Sequence, residues 1–303
     1  MILLGGIGGA RLFAIVFRLE RGNVTTTVET PSGKVAGDEN FPVGSWLLPA
    51  ALRPHVAIFY EYARAIDDIA DNPNLDPQEK IARLDGFEQV IRGAGSDDPA
   101  FAKAHAISAS MAATNVNSQH CVDLISAFKQ DAVKTRYANW PELIGYCLLS
   151  ASPVGRYLVD LHGETKDAYP ASDALCNALQ VLNHLQDCQD DFHTLDRVYL
   201  PRDWMQDADI TVEVLDLPNA VGGLRTVIDR CLDDTEDLLR AARALPGQIR
   251  STRFAMEAAS ILQIAERLVL ELRTRDPLAE RVVLSKPRYV LCGLSGIWMA
   301  LRR

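Results

Sequence analysis

From Arg53 to the C-terminus, apolar residues recur every three or four positions, the period of a helix with one buried face. The first such stretch, LRPHVAIFYEYARAIDDIAD (52–71), places Pro54 in a first turn, where its missing N–H costs nothing, and the turn residues of DNPNLDP close it. Asp76-Pro77 opens QEKIARLDGFEQVIRG, which ends at Gly93. The same period predicts helices over 99–115, 118–134, 139–162, 171–193, 216–244, 250–275 and 277–302. β-Branched runs bounded by turn residues are few, and no repeat or low-complexity linker interrupts the pattern. The expectation is an all-α protein, with residues 41–303 as one domain behind a disordered or mis-started segment 1–40. That segment opens MILLGGIGGARLFAIVFRLERGN, apolar but interrupted by Arg11 and Arg18, and too short for a comfortable membrane span. It has no small-residue cleavage site, so a misplaced translation start is expected, with the protein beginning near Val24 or Val28.

One helical stretch contains its own breaker. Pro153 in YCLLSASPVGRYLV predicts a kink or break, and Ser150, Ala151, Ser152 and Gly155 around it are small. Small side chains there suit open volume beside the kink or a close helix–helix contact equally well.

Composition narrows the function. The 303 residues are 48% hydrophobic and 23% charged, an ordinary globular balance that excludes disorder. A net charge of −9 argues against a nucleic-acid partner. The six cysteines form no CxxC pair and sit mostly in apolar helical stretches, so they are expected to be buried, reduced thiols in the cytoplasm. The glycines of GGIGGAR follow no strand and have no acidic residue at the distance a dinucleotide fingerprint requires, so no NADPH is expected.

Carboxylates carry the candidate chemistry. Tyr60, Arg64, Asp67 and Asp71 follow one another at helical steps and therefore share one stripe of the first helix. Alone, such a stripe reads as a solvated face. However, Asn183, Asp187 and Asp191 repeat the pattern on a second apolar helix, among Leu179, Leu182, Leu185 and Phe192. Buried carboxylates are costly unless paired or metal-bound. If the two helices face each other, hard oxygen ligands select Mg²⁺ or Mn²⁺, which completes its shell with waters and substrate phosphates. That chemistry suits ionisation of an allylic or cyclopropylcarbinyl diphosphate. A di-iron site is excluded because the necessary Glu-x-x-His is absent. His184 and His193 are read as surface or supporting residues rather than ligands.

YEYARAIDDIAD with NHLQDCQDD resembles the two aspartate-rich motifs of the head-to-head prenyl synthases, the squalene, dehydrosqualene and phytoene synthases. The resemblance runs from about Phe41 to the C-terminus and also covers ENFPVGSWLLP, YCLLSASPVGR and FHTLDRVYLP. Within the family the chain looks most like the hydroxysqualene synthases of hopanoid biosynthesis. The resemblance implies an all-helical isoprenoid-synthase bundle with a central cavity. It implies Asp67, Asp71, Asp187 and Asp191 as Mg²⁺ ligands, with Asn183 preceding the second motif. It also implies Tyr60, Arg64 and Tyr146 at the cavity and the diphosphate, and Phe41, Arg197 and Tyr199 as substrate-binding residues.

Two departures bear on the substrate. Many relatives have arginine where this chain has Gln186, and a basic, serine-rich stretch where it has GDENFPVGS. Fewer cations suit one diphosphate, as in presqualene diphosphate, and Gln186 is expected to help place a water. Rival readings are a condensing synthase making presqualene diphosphate, dehydrosqualene or phytoene, a terpene cyclase, and a non-catalytic assembly factor on the same fold. The tail KPRYVLCGLSGIWMALRR is expected to pack on the core or to make peripheral membrane contact. The neighbouring synthase and a flavin-type reductase are the pathway partners that the resemblance implies.

Overall fold

The computed structural model describes residues 28–29, 47–95 and 97–302; expectations for Phe41 and for the segment before Val28 lie outside them. Thirteen α-helices follow. The first six are α1 (Arg53–Ala70), α2 (Pro77–Ile91), α3 (Ala102–Thr114), α4 (Gln119–Asp131), α5 (Trp140–Ser150) and α6 (Ser152–Leu161). The rest are α7 (Tyr169–Gln186), α8 (Cys188–Leu195), α9 (Arg202–Asp207), α10 (Gly222–Ala242), α11 (Leu245–Gln248), α12 (Thr252–Thr274) and α13 (Lys286–Leu301). No strand occurs among the described residues; Arg136 and Val198 form an isolated parallel bridge.

Several starts are set locally. The side chains of Asp76, Asn139 and Ser251 accept the N–H of Glu79, Glu142 and Phe254, satisfying donors that the first turn would otherwise leave open. Pro153 breaks the chain as expected: Ala151 (φ −120°, ψ −48°) separates α5 from α6. The adjacent small residues serve a close contact, since a Cβ on Gly155 would lie 2.3 Å from Ser172 Oγ of α7.

Some boundaries differ from the periodic reading. The stretch 171–193 is two helices, because Asp187 (φ −114°, ψ 12°) leaves the helical region between α7 and α8. Pro218 delays α10 to Gly222. The last helix starts at Lys286 rather than 277 because the Asp276 carboxylate accepts the N–H of Ala220 and of Leu278, holding 276–285 as a loop. Helices α9 and α11, of six and four residues, are too short to show a period.

Two apolar clusters hold the helices. Phe59, Tyr62, Phe87 and Phe128 centre one around α1–α4, where Phe59 stacks on Tyr157 at 3.9 Å and the Tyr62 hydroxyl donates to the Cys121 carbonyl at 2.8 Å. The other gathers α5, α7, α10 and α12 around residues such as Leu182, Leu232 and Leu272. Helices α4 and α6 face both, with Ala127 and Val159 in one and Phe128 and Tyr157 in the other. Each large apolar side chain buried this way contributes about 1.5–3 kcal/mol before chain entropy is charged against it. The cysteines are free thiols, five buried and Cys292 partly so.

Helix α13 lies on α12 through Gly296 and Ala300; a Cβ on Gly296 would fall 2.4 Å from Ser260 Cα. Its other side is open to solvent at Val290, Leu291, Leu294, Trp298 and Leu301. No helix among the described residues is long and apolar enough to cross a membrane.

Candidate active site

The α1 stripe faces inward. Arg64 and Asp67 are 7% and 1% exposed, which removes the solvated-face reading. The Arg64 guanidinium donates to Asp67 Oδ2 at 3.1 Å and to Asp68 Oδ1 at 3.0 Å. Burial pushes the Asp67 carboxyl well above its ordinary range, the charge of Asp71 adds to this, and Arg64 pulls against it. Tyr60 is half-buried on the same helix and packs against the α1–α4 cluster.

Arg197 joins the parts. Its Nη1 donates to Asp71 Oδ1 at 2.6 Å, and its Nη2 donates to the carbonyls of Asp131 (3.1 Å) and Ala70 (3.4 Å). Its backbone N–H donates to the Asp191 carbonyl at 3.2 Å. One residue thus ties the C-terminal ends of α1 and α4 to α8. The following segment is pinned beside α4 and α5, as the Val198 N–H donates to the Thr135 carbonyl at 2.9 Å and the Arg202 N–H to that of Tyr137 at 3.0 Å.

Asp131 is a site residue that the sequence reading missed. It is buried at the end of α4, and the Tyr146 hydroxyl donates to its Oδ2 at 2.8 Å. Burial lifts its carboxyl to about 7, with Arg197 and the Tyr146 hydrogen bond working the other way. The signal was present: Asp131 continues the buried stripe of Cys121, Leu124 and Phe128, where an acid is out of place. Lys80 of α2 had no such signal, yet burial first and then Arg197 lower its amine, which places it in the same field.

On the second motif, Asp187 accepts from Arg281 Nε at 3.1 Å, and Asp191 is 1% exposed. Three of the four motif aspartates therefore have an arginine each: Arg64 for Asp67, Arg197 for Asp71 and Arg281 for Asp187. Arg281 comes from the 276–285 loop and was not foreseen. Gln186 is buried, and its Nε2 donates to the Val282 carbonyl of that loop at 2.5 Å, so its amide nitrogen anchors the loop, while its Oε1 has no hydrogen-bond partner among the described residues. Asn183 is buried one turn before Asp187.

Tyr137, Tyr146 and Tyr199 form an aromatic wall with ring centroids 5.3–5.8 Å apart. His184 is buried and stacks on Tyr199 at 3.5 Å, so of its two expected positions it takes the supporting one. His193 sits at the surface against Asp216. Burial raises the Tyr199 phenol well above its ordinary value, and the charges of Asp131, Asp191 and Asp71 all act on it. Acids from both motifs therefore share one electrostatic neighbourhood.

Among the described residues, no three His, Cys, Asp or Glu side chains form a ready-made metal cage. The donor set nevertheless fits a hard cation. Asp67 Oδ1, Asp71 Oδ2 and Asp131 Oδ1 are buried oxygens with no hydrogen-bond partner among the described residues, and Mg²⁺ is usually held by one or two carboxylates with waters and phosphate.

A model of the squalene/phytoene synthase family matches residues 35–288. The chain belongs to this family. It is 40% identical over 274 residues to the hydroxysqualene synthase of Rhodopseudomonas palustris, covering 90% of this chain and 93% of that one. It is 27% identical over 222 residues to the phytoene synthase of Pseudescherichia vulneris, covering 69% and 70%. The crystal structure of squalene synthase HpnC from Alicyclobacillus acidocaldarius superposes with a TM-score of 0.66 at 29% identity, covering 76% of this chain and 86% of that one. A dehydrosqualene synthase shares the fold, with a TM-score of 0.72 at 19% identity over 85% and 90% of the chains. The bundle expected from the aspartate motifs is thus the squalene/phytoene synthase bundle.

Proposed function

We propose that the protein is a hydroxysqualene synthase, which cleaves presqualene diphosphate in a Mg²⁺-dependent reaction and captures the rearranged cation with water. One observation carries the diphosphate chemistry: the buried acids Asp67 and Asp131 and the half-buried Asp71 gather around Arg197, which binds both α1 and α8. Likeness to named hydroxysqualene synthases over about nine-tenths of the chain supports the choice of product.

Asp67 and Asp71 from one side, with Asp187 and Asp191 from the other, would hold the metal, with Asn183 beside the second pair. Once bound, Mg²⁺ neutralises charge on the leaving diphosphate. Arg64 and Arg197 supply fixed positive charge in a largely water-excluded place, where it acts more strongly than in bulk, and Arg281 adds a more exposed charge beside Asp187. The phenols of Tyr146 and Tyr199 are kept protonated by burial, so the wall beside the reacting carbons stays uncharged. Deprotonation chemistry at those phenols is thereby suppressed.

The reading includes peripheral contact with a lipid surface through α13. Leu291 and Trp298 are 65% and 53% exposed, and every charged residue from 286 to 303 is basic although the whole chain carries −9.

Purified protein with Mg²⁺ and no reductant, given presqualene diphosphate or farnesyl diphosphate, tests the reading by mass spectrometry of the lipids. A C30 alcohol from presqualene diphosphate alone is the expected result. Presqualene diphosphate formed from farnesyl diphosphate would instead place the protein among the condensing synthases.

A further inference from the structure

Lys80 stands in the first turn of α2, a helix that carries neither aspartate motif and follows Asp71 directly. The connection is short: the Asn72 side chain accepts the Asn74 N–H at 2.9 Å, and Asp76 caps α2 through the Glu79 N–H at 2.8 Å. The Lys80 N–H donates to the Asp76 carbonyl at 3.0 Å, so its backbone is fixed in that turn. Helix α2 then runs back along α1, since Phe87 packs on Tyr62 with ring centroids 6.3 Å apart. Lys80 lies seven residues before Phe87 and Asp71 lies nine after Tyr62, roughly 10–14 Å along the two axes. The lysine therefore comes level with the C-terminal end of α1, where Arg197 ties Asp71 to the Asp131 carbonyl.

Its charge environment is that of the site. Burial lowers the Lys80 amine first, and the charges that act on it are those of Arg197, Asp71 and Asp131. Glu257 of α12, buried in a pocket walled by Val154, Leu179 and Ile261, marks the opposite case: burial alone acts on it. Lys80 is half-buried, and its amine forms no ion pair among the described residues. The two acids that act on it already bond elsewhere, Asp71 Oδ1 to Arg197 and Asp131 Oδ2 to the Tyr146 hydroxyl. Arg64, Arg197 and Arg281 each hold an aspartate of the motifs. A paired arginine must share or give up its carboxylate to serve an incoming anion, whereas Lys80 exchanges only water.

We propose that Lys80 is a further binding residue for the substrate's diphosphate, reaching that group from α2 as an uncommitted positive charge. This rests on the diphosphate reading above. A lysine suits the task as a compact point charge with three donors on a flexible stem, which follows the group without the fixed fork of an arginine. Cleavage of the carbon–oxygen bond leaves the electron pair on the diphosphate oxygen, so a cation there acts more strongly after the bond breaks than before. An anion beside the amine favours its charged form and so offsets the effect of burial.

The test titrates the full chain with inorganic diphosphate at saturating Mg²⁺ and reads the dissociation constant by calorimetry, so that no turnover is needed. Lys80→Met removes the charge and keeps the stem; it is expected to weaken binding about tenfold or more, the scale of one charge-assisted hydrogen bond. Lys80→Arg, which returns the charge, is expected to recover part of the loss. Lys166→Met, which removes an exposed lysine elsewhere, is expected to bind as the wild type does. Should Lys80→Met fail to fold, Lys80→Gln takes its place with the same expectation. Wild-type affinity in the folded, charge-free variants overturns the proposal while leaving the parent reading intact. Equal weakening by Lys166→Met also overturns it, because overall charge would then explain the loss. Failure of the wild type to bind diphosphate with Mg²⁺ overturns both.

Discussion

Glu257 makes a stability prediction that needs no substrate. Its carboxyl rises from an ordinary 4.5 to about 8 in the folded protein, and burial is the whole cause. Between those values the folded state binds a proton that the unfolded state has released. Stability from this group is therefore fully present below pH 4.5 and is lost as pH rises through about 8. Integrating the linkage relation from pH 5 to pH 8 gives a loss of about 3–4 kcal/mol at roughly 1.4 kcal/mol per pH unit. Glu257→Gln has nothing to titrate there, while Asp67, Asp131 and every other group are common to both proteins and cancel. The variant's stability relative to wild type is thus expected to grow by about that amount between pH 5 and pH 8. Urea unfolding of both proteins at the two pH values, followed by far-UV circular dichroism, measures it. A difference that does not change with pH would refute the reasoning and with it the isolation of this carboxyl.

Other outcomes follow from the site and the surface. Asp67→Asn should fold, because the Arg64 contact to Asp68 remains, but should lower diphosphate release by about a hundredfold or more, read by a coupled phosphate assay. Arg197→Leu strands Asp71 and the Asp131 carbonyl and should cost about 3–5 kcal/mol in unfolding free energy, with Arg197→Lys recovering only part because a lysine cannot reproduce the forked contacts. Replacing Leu294 and Trp298 together with glutamate should abolish sedimentation with anionic phospholipid vesicles while leaving the circular dichroism spectrum unchanged; equal sedimentation would remove the lipid-surface reading of α13.

The legible part of this protein is the part written within single helices. Asp67 and Asp71 share a face because they are four residues apart, and Pro153 breaks its helix wherever the helix goes. Arg281 and Glu257 were invisible because each matters only through what another element brings near it, Asp187 and the α6–α7 wall respectively, while Asp131 stood out as an acid on an apolar stripe but its partners Tyr146 and Arg197 did not. Boundaries failed where a side chain, rather than the period, decided them. Asp276 captures two backbone N–H groups and keeps residues 277–285 out of the last helix, and no periodicity encodes that. Gln186 shows the limit from the other side. Its identity at the motif was readable, but the carbonyl it would bind belongs to Val282, nearly a hundred residues away.

Gly296 has a mechanical corollary. With no room for even one methyl group between it and the Ser260 backbone, α13 cannot roll about its long axis without collision, and the Ser260 hydroxyl, donating to the Gly293 carbonyl at 2.9 Å, keys its axial position. The outward bearing of Leu291, Leu294 and Trp298 is consequently a fixed azimuth, set when the helix seats and indifferent to what later comes against it. The helix behaves as a rigid keel whose greasy edge is cut into the fold from the start.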